Sequence, residues 1–283
     1  MILSLHPCFV ADHQIIQGSR DLSSDDLSLI KKASVIILPQ SCSEKLYRLC
    51  SESTALLFPS YKTRFEYKGK IGQSLLFKKA GLPHPETMQW NSVEKFRKVF
   101  INSCPNEMPF LLKTDMSHES DGIYVIENKE SLESALENIR MIGNKGSQTF
   151  ISQKLIQTNG IVLRVVIIGW KTVSYWKIPA NHGQIITSIG KGAGIDTGWR
   201  VDLQEEGRRW TRKLIDATGI NLAAVDFVFP FNEIDPSPMF LEINYYFGRR
   251  GLGGSLNYYR LLFNAIQEWL EEQGFDPQSI GLV

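Results

Sequence analysis

Residues 222–246 read LAAVDFVFPFNEIDPSPMFLEINYY, and this stretch decides how the chain folds. Two apolar, strand-prone runs flank a segment rich in Pro, Asn and Asp, a pattern typical of a β-hairpin. With the turn centred near Ile234, Asp226 on the first strand lies opposite Glu242 on the second. Because side chains alternate along a strand, Asn244 shares a face with Glu242.

Three polar side chains on one face of an apolar hairpin need a partner, since burying them unpaired costs free energy. A hard divalent cation such as Mg²⁺ prefers carboxylate and amide oxygens. The alternative is a hairpin whose polar positions are solvated, which fits less well with strands that are at least half buried. The sequence therefore predicts a metal site at Asp226, Glu242 and Asn244.

Composition narrows the class of protein. The 283 residues are 43% hydrophobic with a formal net charge of +1, which is typical of a globular chain with a substantial core. The small net charge gives no overall field that recruits nucleic acid or an anionic membrane. No segment approaches the roughly 20 apolar residues needed to span a bilayer, and the N-terminus does not read as a signal peptide. We therefore expect a cytoplasmic protein without nucleic-acid or membrane partners.

The cysteines fit no zinc spacing, and in the cytoplasm they are expected to be reduced. They are Cys8, Cys42, Cys50 and Cys104. Cys8 and Cys42 could be reactive, but buried structural thiols are the simpler interpretation.

The order of predicted elements divides the chain. Short strands and helices alternate over residues 1–61, which predicts a small parallel α/β lobe. The remainder, residues 62–283, mixes helices and antiparallel strands. Its expected elements are a helix over 70–81, strands over 109–113, 123–127 and 149–156, a helix over 129–142, a hairpin over 160–179, a strand over 184–189, and helices over 205–218 and 256–272.

Basic residues in unusual positions suggest an anionic ligand. Lys113 ends an apolar strand, so it either meets an anion or extends its ammonium to solvent. Lys70 starts a helix, where a surface position is the simpler interpretation. Arg164 interrupts the apolar run 161–168, so it needs a phosphate, a carboxylate or a protein acid as partner. Arg249 and Arg250 form either an anion clamp or part of a surface loop.

The segment Ser117–Gly122 is a polar loop that could close over phosphates. It contains a single glycine, so as a phosphate-binding loop its signal is weak.

Taken in chain order, these features resemble the ATP-grasp superfamily, and within it the ribosomal-S6-modification and glutathione-synthetase-like branch. The resemblance covers about residues 62–272. It implies that Lys70 and Lys113 contact ATP phosphates and that Arg164 faces phosphate or substrate. It also implies that Glu242 bridges two Mg²⁺ ions held with Asp226 and Asn244. The residues implied at the nucleotide base are Gln153, Lys154, Leu155 and Ile156.

The resemblance also implies a fold and an activity. The fold class is α/β (α+β), with two α+β lobes clasping ATP: a nucleotide lobe over about 105–155 and a metal-binding lobe over about 156–283. Residues 1–61 resemble a reduced pre-ATP-grasp domain. The implied activity is an ATP- and Mg²⁺-dependent ligase, with Mn²⁺ as a substitute ion. It would join a small-molecule or peptide carboxylate to an amine through an acylphosphate, with Arg249 or Arg250 holding the substrate carboxylate.

Several positions depart from the family pattern. Val162 and Lys154 stand where the family has acids, and Tyr245–Arg250 replaces a run of small residues. A phosphotransferase on the same fold and a nucleotide-binding module without catalysis therefore stay open, as does assembly into a homo-oligomer. We expect Tyr245–Arg250 to determine the substrate.

Overall fold

A parallel β-sheet begins the chain in a computed structural model that describes residues 1–102, 106–115, 122–143, 149–181, 183–187 and 189–283. The sheet order is β3-β1-β4-β5, and every pairing in it is parallel, as the alternating pattern predicts. The first elements are β1 (Ile2–Ser4), β2 (Phe9–Val10), β3 (His13–Gln14), α1 (Ser24–Lys32), β4 (Val35–Ile37), α2 (Glu44–Ser51), β5 (Leu56–Phe58) and α3 (Lys62–Glu66).

An antiparallel sheet, here called the middle sheet, follows in the order β6-β9-β7-β8. Its strand β6 was not predicted from the sequence, because TMQW is short and shows no apolar alternation. The elements are α4 (Gly69–Lys79), β6 (Thr87–Trp90), α5 (Val93–Asn102), β7 (Phe110–Thr114), β8 (Ile123–Ile126), α6 (Lys129–Gly143) and β9 (Phe150–Lys154).

The strand period of two assigns the faces of the middle sheet. Phe110, Leu112 and Phe150 pack in a core with residues of α5 and α6. Their alternating neighbours Leu111 and Lys113 point to the opposite face, which lines a cleft. Lys113 therefore faces the cleft, because it alternates along β7 with Leu112, which faces the helices.

A second antiparallel sheet, the C-terminal sheet, has the order β12-β11-β10-β13-β14. Asp226 pairs with Glu242 across β13 and β14, so the predicted register of the hairpin over residues 222–246 is confirmed. The pairing becomes irregular between Asp226 and Phe227. The elements are β10 (Val162–Ile168), β11 (Lys171–Ile178), β12 (Gly194–Asp196), α7 (Val201–Thr218), β13 (Leu222–Val228), β14 (Met239–Asn244), α8 (Ser255–Glu272) and β15 (Gly281–Leu282), with 3-10 turns at Ile189–Lys191, Arg250–Leu252 and Pro277–Ser279.

The predicted strand over 184–189 was wrong. Residues 184–187 have no regular secondary structure, Ile189 begins the 3-10 turn at Ile189–Lys191, and β12 takes the edge of the sheet instead. Polar and glycine residues around 181–192 favour turns over strand pairing.

The two faces of the C-terminal sheet are covered differently. Leu163, Val165 and Ile167 pack with α4 and α7. Val166 and Ile168 pack with α8 and with residues of the first sheet. Strand β15 also pairs with β2, so both ends of the chain meet. The division near residue 61 stays a prediction. In the part of the chain that the structure describes, no helix combines the length and apolarity needed to cross a membrane.

Candidate functional site

A cleft of about 490 Å³ lies between the middle sheet and the C-terminal sheet. A volume of this order accommodates a small organic ligand such as a nucleotide. All the residues selected from the sequence line this cleft, although they come from seven separate segments. They are Lys70, Lys113, Gln153, Lys154, Leu155, Ile156, Arg164, Asp226, Glu242, Asn244 and Arg249.

The cleft is strongly basic although the whole chain is nearly neutral. Among its described lining residues, seven are basic and two are acidic, and seven minus two gives a formal charge of +5. Such a concentration of one sign in a concave site attracts anions. The basic residues are Lys70, Lys113, Lys154, Arg164, Lys177, Arg249 and Arg250, and the acidic ones are Asp226 and Glu242.

Lys70 reaches the cleft because the start of α4 is fixed to the end of β7. The Ile71 N–H donates to Asp115 Oδ1 at 2.8 Å, and the Lys70 N–H donates to the Asp115 carbonyl at 3.3 Å. Gly69 has a φ of +64°, and a Cβ there would lie 2.4 Å from Asp115 Oδ1, so glycine permits this approach. Burial lowers the pKa of Lys70, while the charge of Glu242 opposes that effect.

Lys113 is held by a chain of side-chain hydrogen bonds. Its Nζ donates to Gln153 Oε1 at 2.6 Å, and Gln153 Nε2 donates to Thr87 Oγ1 at 2.9 Å. Lys113 is only 6% exposed. Burial lowers its pKa to about 8; Glu242 opposes the shift and the charge of Lys70 adds to it. Gln153, selected for the nucleotide base, therefore also fixes the direction of Lys113.

Asp226 accepts four hydrogen bonds from side chains of the described part of the cleft. Arg164 Nε donates to Oδ1 at 2.7 Å and Arg164 Nη2 donates to Oδ2 at 2.8 Å. Lys177 Nζ donates to Oδ2 at 2.8 Å, and Asn244 Nδ2 donates to Oδ2 at 3.3 Å. Of the three partners that the sequence left open for Arg164, the structure shows the protein acid.

The charge of Asp226 is set by these partners. Burial acts to raise the pKa of the carboxyl, but the charges of Arg164 and Lys177 and their hydrogen bonds outweigh it and lower the pKa to about 2. Burial lowers the pKa of Lys177, and the charge of Asp226 opposes that shift. The carboxylate and its two cationic neighbours stabilise one another in their charged forms.

The predicted metal ligands share one face of the C-terminal sheet. Asp226 and Glu242 are register partners, and Asn244 lies two residues further along β14. Carboxylate and amide oxygens are the donors that a hard cation such as Mg²⁺ prefers, so the donor set fits. Glu242 and Asn244 are half-buried and reach the cleft. No cluster of three or more His, Cys, Asp and Glu that could hold a metal occurs among the described residues, so an ion here would also need the amide or ligand oxygens.

Arg249 is held at the other end of the cleft by aromatic rings. Its guanidinium lies 4.7 Å from the ring centre of Tyr258 and 4.5 Å from that of Tyr259, distances at which a cation is attracted to a ring face. The loop that carries it packs on the sheet through Gly251, where a Cβ would lie 2.2 Å from Tyr175 Cζ. Arg250, in contrast, is exposed.

Two residues of the site were missed in the sequence. Lys177 is a buried lysine on β11, and Gln73 on α4 pairs with both backbone groups of Ile243, each at 2.8 Å. Lys177 could have been found, because the argument applied to Arg164 also applies to a lysine in the apolar run over 172–178. Gln73 carries no such signal, since a glutamine on a helix is ordinary.

Some predictions lie outside the described residues. Of the polar loop Ser117–Gly122, the structure describes Gly122 alone, and Cys104 is also not covered. Cys8, Cys42 and Cys50 are free thiols, and burial raises the pKa of Cys42 to about 12.

Known structures share this architecture. The ADP complex of purK, N5-carboxyaminoimidazole ribonucleotide synthetase, superposes with a TM-score of 0.60 at 17% identity, covering 86% of this chain and 61% of that one. A RimK domain ATP-grasp protein from Sphaerobacter thermophilus gives 0.59 at 14% identity, over 92% and 97%. D-alanine–D-alanine ligase from Bacillus anthracis gives 0.60 at 14%, over 91% and 86%. The fold is therefore the ATP-grasp fold, as the resemblance implied.

A family model narrows this class. The RimK-like ATP-grasp domain matches residues 68–255, which is most of the chain, and the protein belongs to the RimK-like ATP-grasp family.

Curated relatives match over shorter stretches. Human beta-citrylglutamate synthase B is 20% identical over 149 residues, which are 52% of this chain and 36% of the relative. A probable alpha-L-glutamate ligase of Methanococcoides burtonii is 22% identical over 166 residues, 59% of this chain and 51% of the relative. The chain thus spans about a third to a half of the length of these relatives.

Proposed function

We propose that this protein is an ATP- and Mg²⁺-dependent ligase that joins a carboxylate to an amine through an acylphosphate. The observation that carries the proposal is the composition of the cleft. Lys70 and Lys113 reach it from the side of the middle sheet, while Asp226 and Glu242 reach it from the C-terminal sheet. Fixed cations and carboxylates facing one another are what phosphoryl transfer requires, because this reaction depends on positioning and charge neutralisation.

The nucleotide would lie along the middle sheet. Leu111, Ile151, Leu155 and Ile156 provide an apolar surface for the base. Lys70 and Lys113 would then meet the phosphates. Asp226, Glu242 and Asn244 would hold Mg²⁺, one or two ions, which neutralises charge on the transferring phosphate when bound. Because ATP is the proposed cosubstrate, the cytoplasm is the proposed compartment.

The proposed reaction has two chemical steps. A carboxylate oxygen of the substrate attacks the γ-phosphorus, the bond to the β-phosphate oxygen breaks, and ADP leaves. The amine then attacks the acyl carbon of the acylphosphate, loses a proton, and expels phosphate, which leaves an amide. Lys70, Lys113 and Arg164 provide fixed positive charge for the first step, and Arg249, fixed over Tyr258 and Tyr259, is placed to hold the substrate carboxylate.

The relatives indicate which amine to test first. Their names, beta-citrylglutamate synthase and alpha-L-glutamate ligase, point to L-glutamate, and the basic cleft suits an acidic amino acid. The carboxylate partner is proposed only as a small molecule or a peptide.

The experiment is an assay for ADP release with panels of carboxylates and amines, L-glutamate included, in the presence of Mg²⁺. With a carboxylate labelled with ¹⁸O, we expect one label in the released phosphate, because the attacking oxygen leaves with it. A stable phosphorylated product formed without any amine would assign the phosphotransferase alternative. ATP binding without turnover on every panel would assign the nucleotide-binding alternative.

The pKa of Lys113 leads to a prediction for ATP binding. Burial lowers this pKa to about 8, so the free cleft loses the ammonium charge as the pH rises through that value, and ATP must restore the proton on binding. We expect the metal-free affinity for ATP to fall about tenfold between pH 7 and pH 9, measured by calorimetry. In Lys113→Arg the guanidinium stays charged, so the fall should disappear; an unchanged fall in that variant would contradict the assignment.

A further inference from the structure

Oδ2 of the Asp226 carboxylate has no acceptor capacity left for a metal ion. A carboxylate offers about four lone-pair sites. Oδ2 accepts from Arg164 Nη2, Lys177 Nζ and Asn244 Nδ2, which is three donors for two lone pairs, whereas Oδ1 accepts from Arg164 Nε. The Asp226 residue is 3% exposed, so water does not compete for these oxygens. An ion can bind Oδ2 only if at least one of its donors moves away, and at Oδ1 it would meet the ammonium of Lys177 at the neighbouring oxygen.

Lys177 is the donor that can leave. Arg164 makes two parallel hydrogen bonds, to Oδ1 and Oδ2, and such a bidentate pair is hard to break. Lys177 makes a single bond at 2.8 Å from the end of a flexible four-carbon stem. Its ammonium is also a like charge for an incoming cation, and it is 5% exposed, so solvent screens that repulsion little. Lys177 can therefore move away from Asp226 only if another anion becomes its partner.

We propose that Lys177 keeps the metal site closed until nucleotide phosphates offer it a replacement partner, so that this protein binds its divalent cation with the nucleotide and not before it. The inference rests on the proposed function, and it adds Lys177 as a residue that changes partner from Asp226 to phosphate. The basic cleft supports this order, because a divalent cation alone would add to a formal charge of +5, whereas a nucleotide offsets it.

The test measures Mn²⁺ binding to the full chain, with free Mn²⁺ followed by electron paramagnetic resonance and protein-held Mn²⁺ by water-proton relaxation. For the wild type we expect saturable binding with a non-hydrolysable ATP analogue present, and at least about 100-fold weaker binding without it. Lys177→Met should bind Mn²⁺ alone at least about tenfold more tightly than the wild type. The matched control is Lys171→Met, which removes an exposed lysine of the same strand that pairs with Glu268 and should behave like the wild type.

The outcomes separate this inference from the proposed function. Wild-type protein that binds Mn²⁺ alone as tightly as with the analogue would overturn the inference and leave the ligase proposal standing. Lys177→Met that folds but binds Mn²⁺ alone no better than Lys171→Met would also overturn it. A wild-type protein that binds neither the ATP analogue nor Mn²⁺ under any condition would overturn both the inference and the ligase proposal. Should Lys177→Met fail to fold, Lys177→Gln takes its place, and the wild-type comparison decides by itself whether metal follows nucleotide.

Discussion

The Glu242→Gln variant is expected to release ADP about 10³-fold more slowly than the wild type, with little change in thermal stability. Glutamine keeps the shape of the side chain but removes the negative charge with which Glu242 would hold a divalent ion. A 10³-fold loss corresponds to roughly 4 kcal/mol of transition-state stabilisation, which is of the size expected for losing a metal ligand in phosphoryl transfer. The measurement is the steady-state rate of ADP release at saturating Mg²⁺ and ATP.

Stability should change little because Glu242 is half-buried at the cleft. Removing its charge also leaves the hydrogen bonds of Asp226 in place. A matched control is Glu271→Gln, which makes the same chemical change at an exposed position near the end of α8. This control should keep full activity. Retention of more than about a tenth of the wild-type rate in Glu242→Gln would argue against Glu242 as a metal ligand.

The alternation of side chains along strands explains how much of this site could be predicted. It places Asp226 opposite Glu242 from the sequence, and the register of β13 and β14 agrees. The same period puts Arg164 and Lys177 on the face that carries Asp226, since Arg164 is the register partner of Asp226. The strand period is a local property, so the sequence is enough to read it. Lys177 on β11 follows the same alternation, although it was not predicted.

Contacts between distant segments could not be predicted in this way. Gly69 meets Asp115 across 46 positions of sequence, and nothing local to either residue indicates the other. The stacking of Arg249 on Tyr258 and Tyr259 depends on how the 3-10 turn at Arg250–Leu252 redirects the chain into α8. The sequence made Arg249 a candidate for binding an anion, with a position in a surface loop as the alternative. The contacts with the two tyrosine rings determine where its guanidinium lies.

The Asp226→Asn variant is expected to lose about 3–5 kcal/mol of folding free energy, because Arg164 and Lys177 would remain buried without their counter-charge. Their side chains are 12% and 6% exposed, so water cannot replace the carboxylate. The measurement is denaturant unfolding of the ligand-free protein. The control Asp202→Asn breaks an exposed pair with Arg200, and surface pairs contribute about 0–1 kcal/mol, so that variant should unfold close to the wild type.

A second substitution separates lost charge pairing from lost packing. Adding Lys177→Met to Asp226→Asn removes one of the two uncompensated cations, so part of the lost stability should return, whereas a packing defect would grow worse.

The pH dependence gives an independent check. The pKa of Asp226 is lowered to about 2, so its stabilising effect is complete above the usual aspartate pKa near 4 and is lost as the pH falls from about 4 to about 2. The Asp226→Asn variant should lack that component of acid destabilisation. If it instead unfolds in acid with the same profile as the wild type, the buried pairing of Asp226 with Arg164 and Lys177 does not determine the stability of the C-terminal sheet.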